Sequence, residues 1–397
     1  MARHSAASTA WRATATVSAY YALFGAFIPW LSRWLDEVAG FPGETIGLAV
    51  TIGTLLRIVA GPLLSAWADG RADRRTAIVA LSAATVLVLV LMGPRAGTAK
   101  DFLLVVALQV CVWGLLAFLE AALIRLTGRG GGPPYGVARG LASAAFIAGN
   151  FGVGVLVDRL GPGAILGWMI AAAVAMLAGS LAMNPEPHAR GPAQPFLARL
   201  SEGVGLLKDP FFLPLALAAG LVQGAHQYYY LFSNLIWREA PGLSATTIGA
   251  LQALGVAAEV LFLMLLAERT ARWPPAVLFL MGGLGSIVRW GGLALAPGLP
   301  LLVPLQLLHA VTFAFTFLGT MRGLQERFGD ARGATAQMIY QSLANAPATA
   351  GASYLAGRLY GAGLGADGYW VMAALAAIAV PLSLALLRRP RDLPGRP

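Results

Sequence analysis

Apolar residues along this chain gather into twelve segments separated by short polar breaks, with expected spans near 14–36, 45–68, 76–93, 102–125, 138–158 and 163–183, then 210–236, 246–267, 274–296, 300–322, 333–360 and 367–387. A helix needs about 20 mostly apolar residues to cross the hydrocarbon core of a bilayer, and these segments have that length. The one long polar stretch inside the chain, Asn184 to Pro210, lies near the midpoint of the 397 residues, with six segments on each side. The pattern predicts an all-α integral membrane fold: a six-helix bundle over 1–183, a central loop over 184–209 and a second six-helix bundle over 210–397. The first segment, Thr14 to Leu35, is too long for a signal-peptide core and is expected to remain as a transmembrane helix.

The second half begins by repeating the first. Thr45-Ile46-Gly47 opens the second segment and Thr247-Ile248-Gly249 the eighth, and twelve residues after each threonine stands a charge, Arg57 and Glu259. Tyr20-Tyr21 with Phe24 corresponds only loosely, at a different offset, to Tyr229-Tyr230 with Phe232. Parallel repeats of this kind build transporters that rock two bundles around a central site. Opposite charges at equivalent positions of the two halves are expected to face one another across a cavity.

Composition agrees with lipid as the main solvent. The chain is 58% hydrophobic and 12% charged, about half the charge of a soluble domain, and its mean hydropathy is +0.70. Its 48 glycines suit close helix contact where small side chains let backbones approach. A net charge of +10 raises the question of nucleic acid, but the basic residues alternate loop by loop. Of the 28 Lys and Arg, 19 fall in the termini and the loops on their side, 6 in the opposite loops, and 3 inside helices. The positive-inside rule then puts both termini in the cytoplasm, in an inner (plasma) membrane protein without a nucleic-acid partner. Cys111 is the single cysteine, which excludes an internal disulfide and any multi-cysteine metal site. No phosphate loop or nucleophile motif is present, so neither catalysis nor a cofactor nor a metal is expected, and nothing calls for more than a monomer.

Charges inside the spans carry the function. An ionised group at helix mid-depth costs about 2.5–3.5 kcal/mol, so it requires a partner or a wet cavity. The candidates are Arg57, Glu120, Arg139, Glu259, Arg289 and His309, with His226 beside Gln223, Gln227 and Tyr228–Tyr230. Their signs allow nearly neutral pairs. Such pairs serve either to lock packing or to bind and couple; a whole set of them favours use, since structural pairs are replaceable by apolar residues. His226 and the tyrosines suit either a cavity that grips a ring and a polar group together or an interfacial aromatic belt, and the depth of His226 favours the cavity.

At Tyr135-Gly136-Val137-Ala138-Arg139 the chain resembles the lactose permease family of proton symporters, in which the arginine pairs with a helix-four glutamate to hold substrate. Glu120 lies 19 residues before Arg139, and Arg289 and His309 are 20 apart, both close to that family's spacing. Glu259 occupies the place of its helix-eight glutamate. The resemblance covers essentially the whole chain and identifies it as similar to the major facilitator superfamily. Within it, Gln252 to Glu259, Val288-Arg289-Trp290, Leu307 to Phe313 and Tyr20 to Phe27 resemble the phenylpropionate-permease branch, which is related to the lactose and nucleoside symporters. Two positions depart from the sugar transporters: Phe146 replaces a sugar-stacking tryptophan and Thr312 a carboxylate central to proton release. Asp69-Gly70-Arg71-Ala72-Asp73-Arg74-Arg75 resembles the superfamily loop after helix two, with Ser65 where its first glycine is expected. The resemblance gives Asp69, Arg74 and Arg75 a conformational role there; a plain basic loop is the other reading. Gly149-Asn150-Phe151-Gly152-Val153-Gly154 lacks the proline of the drug-antiporter signature and reads as a close-packing seam.

The resemblance implies proton-coupled uptake of a small organic solute, most simply an aromatic monocarboxylate. Substrate contacts are expected from Glu120, Arg139, Phe146, His226, Tyr229 and Arg289, and proton coupling from Glu259, His309 and Arg57. Arginines facing a cavity offer paired donors to a carboxylate, and Phe146 with the tyrosines offers a ring surface. Arg139 or Arg289 is expected to hold the anion, with Arg57 third; Glu259 or Glu120 carries the proton, with His309 as the alternative. Competing readings are a sugar or nucleoside symporter, an efflux antiporter, and a membrane sensor that transports nothing.

Overall fold

The apolar segments form twelve helices in a computed structural model of the chain, which describes residues 2–93, 98–129, 132–187, 205–266 and 268–387. They are α1 Ala2–Glu37, α2 Gly43–Asp69, α3 Arg75–Leu91, α4 Ala99–Gly128, α5 Tyr135–Leu160 and α6 Ala164–Ala182, then α7 Phe212–Glu239, α8 Ala245–Leu265, α9 Pro275–Ala294, α10 Leu299–Gly329, α11 over 330–361 and α12 Gly368–Leu387. Among the described residues eight helices are long and apolar enough to cross a membrane, and no strand occurs beyond one isolated bridge between Asp73 and Pro187. The fold is all-α. The helix α3 is short at 17 residues, and α7 is diluted by Gln223, His226, Gln227 and three tyrosines. Arg95, Arg190, Arg199 and the tail arginines Arg388, Arg389, Arg391 and Arg396 lie outside the described residues.

Two compact units emerge: residues 1–193 with 243–253, and residues 194–242 with 254–397. The first turns of α8 thus cluster with α1–α6 rather than with the second half. The cause is local. The Asp158 carboxylate on α5 accepts the backbone N–H groups of Ala245 at 2.9 Å and Thr246 at 2.7 Å, an anion set on the positive end of a helix.

Within the first unit α1 packs along α5 and α6, α2 along α4, and α3 along α4 and α6. The seam read at Gly149 is real. A Cβ there would stand 2.5 Å from the Ala22 carbonyl oxygen, and one on Gly25 would fall on the carbonyl of Phe146. Only glycine allows α1 and α5 to approach so closely. Fully enclosed Trp30 donates to the Asn150 side chain at 3.1 Å across the same seam. At one end of this unit the carboxylate of Asp73 accepts the N–H of Glu186 at 2.9 Å. Glu186 in turn binds Arg125 at 3.0 Å and Arg129 at 2.7 Å. Arg75 donates to the carbonyls of Leu181 and Met183, and the Arg74 N–H to that of Glu186. Asp73, rather than Asp69, makes the carboxylate contacts of this loop.

In the second unit α9 packs on α12 and α10, and α7 on α12 and α11. Gly329, at φ 62°, breaks one long helical run into α10 and α11. Both helices contain a π-turn, Ala310–Phe315 in α10 and Tyr340–Asn345 in α11, a widened turn that recurs at functional sites.

Candidate functional site

Each unit holds its own cluster of the predicted residues. In the first, Arg139 Nε on α5 stands 3.4 Å from Glu120 Oε1 on α4, and both side chains are partly open. A short hairpin joins these helices, so a spacing of 19 residues returns the chain to the same level. The Tyr21 hydroxyl on α1 donates to the same Glu120 oxygen at 2.6 Å, the Arg139 guanidinium lies 4.5 Å from the centre of the Tyr21 ring, and Arg139 Nη1 donates to Ser143 at 2.9 Å. From Tyr21 an aromatic run continues through Tyr20 and Phe24, reaching Trp113 at 5.0 Å and Phe146 at 6.1 Å from Phe24. Arg57 on α2 closes the run, its guanidinium 4.4 Å over the Trp113 ring and its Nη2 donating to Thr54 at 3.2 Å. Trp113 is held by donating to Gln109 at 3.1 Å.

The second unit buries a polar relay. Arg289 on α9 is completely enclosed. Its Nη1 lies 2.9 Å from His309 Nδ1 and 3.2 Å from Thr312 Oγ1, and its Nη2 is 3.4 Å from Gln306 Oε1. Gln306 also accepts the Tyr229 hydroxyl at 2.8 Å, and the guanidinium lies 4.5 Å from the Tyr229 ring centre and 4.6 Å from that of Trp290. On the far side of the imidazole, His309 Nε2 is 3.4 Å from Glu259 Oε2 on α8.

These contacts assign the protons. A guanidinium only donates, so His309 Nδ1 accepts and its single proton sits on Nε2, aimed at Glu259. His226 is fully buried on α7. Its Nδ1 faces the Val222 carbonyl at 2.8 Å and must carry a proton, so Nε2 accepts from the Thr312 hydroxyl at 3.0 Å. The π-turn that begins just after His309 brings Thr312 to both His226 and Arg289. A carboxylate, a neutral imidazole and a guanidinium thus form one chain in which a change at either end is felt at the other.

Most predicted residues are therefore brought together within their own unit: Glu120, Arg139 and Phe146 in the first, and His226, Tyr229, Glu259, Arg289 and His309 in the second. Arg57 and Glu259 belong to different units, and each has partners in its own. His226 differs from expectation. It is shut among Thr312, Trp290 and His309, where it holds Thr312 and is closed to a solute. Sequence reasoning missed Gln306, Trp113 and Tyr21 as participants. Gln306 precedes His309 by three residues and Trp113 precedes Glu120 by seven, intervals that put each pair on one helix face.

A model described as the MFS_1 like family matches residues 11–370. Over 389 residues the chain is 30% identical to an Escherichia coli (strain K12) protein named "Probable 3-phenylpropionic acid transporter", covering 98% of this chain and 99% of that one. It is also 30% identical over 301 residues to a Deinococcus radiodurans protein named "Putative sugar efflux transporter", covering 72% and 75% of the two chains. Among solved structures the fold resembles the nucleoside transporter NupG, with a TM-score of 0.80 at 16% identity over 96% of this chain and 98% of that one. A bacterial homologue of the human lysosomal transporter Spinster gives a TM-score of 0.70 at 15% identity, over 96% of each chain.

Proposed function

The chain belongs to the MFS_1 like family of major facilitator transporters, and from that premise we propose that it couples proton entry to uptake of a small aromatic monocarboxylate. It is a multi-pass membrane transporter; the symport, the substrate class and the residues below are our reading. The buried sequence Glu259–His309–Arg289 carries it, because a titratable carboxylate is linked there through one imidazole to an enclosed guanidinium, so that taking up a proton changes a network running through the second unit. The name of the Escherichia coli relative supplies the substrate class, and the aromatic run of the first unit suits such a ring.

In this reading Glu259 takes the proton. His309 reports its state to Arg289, since the proton on Nε2 points at Glu259 while Nδ1 receives Arg289. Protonating Glu259 removes the charge that orients this relay and alters the hold on Arg289. Glu120 and Arg139, with Tyr21, bind solute on the first unit. Bundles over 1–183 and 210–397, joined by the loop 184–209, alternate access, with the Asp73, Arg74 and Arg75 contacts breaking and re-forming. The arginine-rich loops keep both termini in the cytoplasm, and the protein acts as a monomer of the inner (plasma) membrane.

The test is proton uptake by proteoliposomes offered 3-phenylpropionate, a galactoside and a nucleoside. We expect proton flux with the aromatic acid alone, abolished in Arg139→Ala; that variant separates carrier flux from diffusion of the neutral acid. A response to the galactoside alone transfers the assignment to the sugar class, which the Deinococcus radiodurans relative also suggests. Silence across the panel rejects the substrate class.

A further inference from the structure

Arg57, Arg139 and Arg289, the arginines set within the expected spans, are held very differently. Arg139 has Glu120. Arg289 donates to His309, Thr312 and Gln306 and is wholly enclosed, so a solute cannot reach it without rearrangement. Arg57 is the exception. Among the described residues it has no carboxylate partner; its one hydrogen bond goes to Thr54, and its Nε is enclosed without an acceptor. Its side chain is only partly buried. It lies on the inward stripe of α2, one turn beyond Gly53 and Thr54 and two beyond Val50.

Contact with a tryptophan face offsets only part of the cost of placing such a cation within a membrane-spanning helix. The balance is a standing demand for an anion. The surroundings state which kind. Trp113, against which Arg57 stacks, is edge-on to Phe24 at 5.0 Å, and Phe24 reaches Phe146 at 6.1 Å. A hydrocarbon ring therefore finds an aromatic wall beside the cation, whereas an inorganic anion gains nothing from it. Gln109 fixes the indole from behind.

We infer that Arg57 is the receptor for the substrate's carboxylate and that Trp113 with Phe24 and Phe146 receives its ring. The inference rests on the aromatic-monocarboxylate reading above and sharpens it: it moves the anion from Arg139 and Arg289 to Arg57 and leaves the Glu120–Arg139 pair to position it.

Calorimetric binding to purified protein in nanodiscs separates the possibilities, using 3-phenylpropionate, its uncharged amide 3-phenylpropanamide, and hexanoate. Charged hydrogen bonds of this type predict that wild type favours the acid over the amide by about 10- to 100-fold. Arg57→Gln reduces that preference to within about threefold, while Arg57→Lys, a point charge without the fork, retains part of it. Trp113→Leu keeps the acid-over-amide preference and reduces the preference for the aryl acid over hexanoate by about tenfold; it serves as an independent arm if Arg57→Gln does not fold. If Arg57→Gln, melting like wild type, keeps its acid-over-amide preference, Arg57 is a packing cation and the inference fails while the substrate class stands. If Trp113→Leu leaves the aryl-over-alkyl preference intact, the aromatic wall is misassigned. Wild type that binds the amide as well as the acid, or neither, overturns both the inference and the substrate class.

Discussion

Replacing Glu259 by glutamine removes a proton site while keeping its shape, so coupling and binding come apart. His309 Nε2 and Glu259 Oε2 are 3.4 Å apart, at the long end for a hydrogen bond, and the glutamine carbonyl can still accept from Nε2. The loss of charge in a partly open carboxylate therefore costs stability of only about 1 kcal/mol, and the purified variant should melt within a few degrees of wild type. The transport consequence is much larger. With one proton carried per solute, each pH unit across the membrane supplies about 1.4 kcal/mol, or about tenfold accumulation. Wild-type proteoliposomes, acid outside by two units, should therefore concentrate the solute about a hundredfold. Since the neutral acid also diffuses, the baseline is the initial uptake by protein-free liposomes, and Glu259→Gln should add no pH-driven uptake above it. Because its glutamine mimics the protonated state permanently, the variant should still exchange labelled for unlabelled solute across a membrane without a gradient. Any pH-driven uptake by Glu259→Gln above the protein-free baseline, or proton flux on adding solute beyond that baseline, would show that the proton travels elsewhere and would refute the relay.

Two further predictions concern the scaffold. Burial alone would raise the carboxyl of Glu186, but Arg125, then Arg129 and Arg74, outweigh it and hold its pKa below the ordinary carboxylate value. A depressed folded-state pKa stabilises above the unfolded value of about 4.3 and is lost as pH falls through the folded one. Glu186→Gln should therefore melt lower than wild type across neutral pH, by about 1–2 kcal/mol, with the gap closing in acid below about pH 4; a gap independent of pH in scanning fluorimetry would contradict this. Gly25→Val should separate α1 from α5, costing about 3 kcal/mol or more and yielding aggregated protein on size exclusion. Gly140→Ala, whose Cβ meets nothing within 4 Å, should elute and melt like wild type.

Much of this fold could be read from the chain because lipid imposes a simple rule: every backbone polar group must be bonded within the segment, so apolar length translates directly into helices. Pairs joined by a tight hairpin were equally legible. Glu120 with Arg139, and Arg289 with His309, could be paired through their likeness to the lactose permease family, whose intervals they match, and both pairs are in contact. Legibility stopped where contacts leave such neighbours. Nothing local in α2 announces that Arg57 will lie on Trp113 of α4, and nothing in the loop after α6 announces that Glu186 will gather arginines from α4. The first turns of α8 joined the first unit through the Asp158 carboxylate and through close packing of Gly154 on Ala245 and of Gly249 on Asn150, none of which the sequence of α5 announces. The enclosure of His226 was hidden as well, since polarity in a membrane helix reads the same whether a group faces water or is sealed by Thr312 and Trp290.

The widened turn after His309 also bears on how such a site is rearranged. A π-turn holds one residue more than the α-helical turn it replaces, closing its bonds five residues apart instead of four. That surplus residue is a dislocation in an otherwise regular lattice, and a dislocation can glide. Moving it one turn along α10 leaves both ends of the helix in place, but every residue it passes rotates by about 100° and advances about 1.5 Å. Thr312 lies within the turn, so such a glide would swing its hydroxyl away from His226 and Arg289 together, as a screw would. The helix can thus exchange one set of polar partners for another without bending, and at the cost of only a few backbone bonds at any moment.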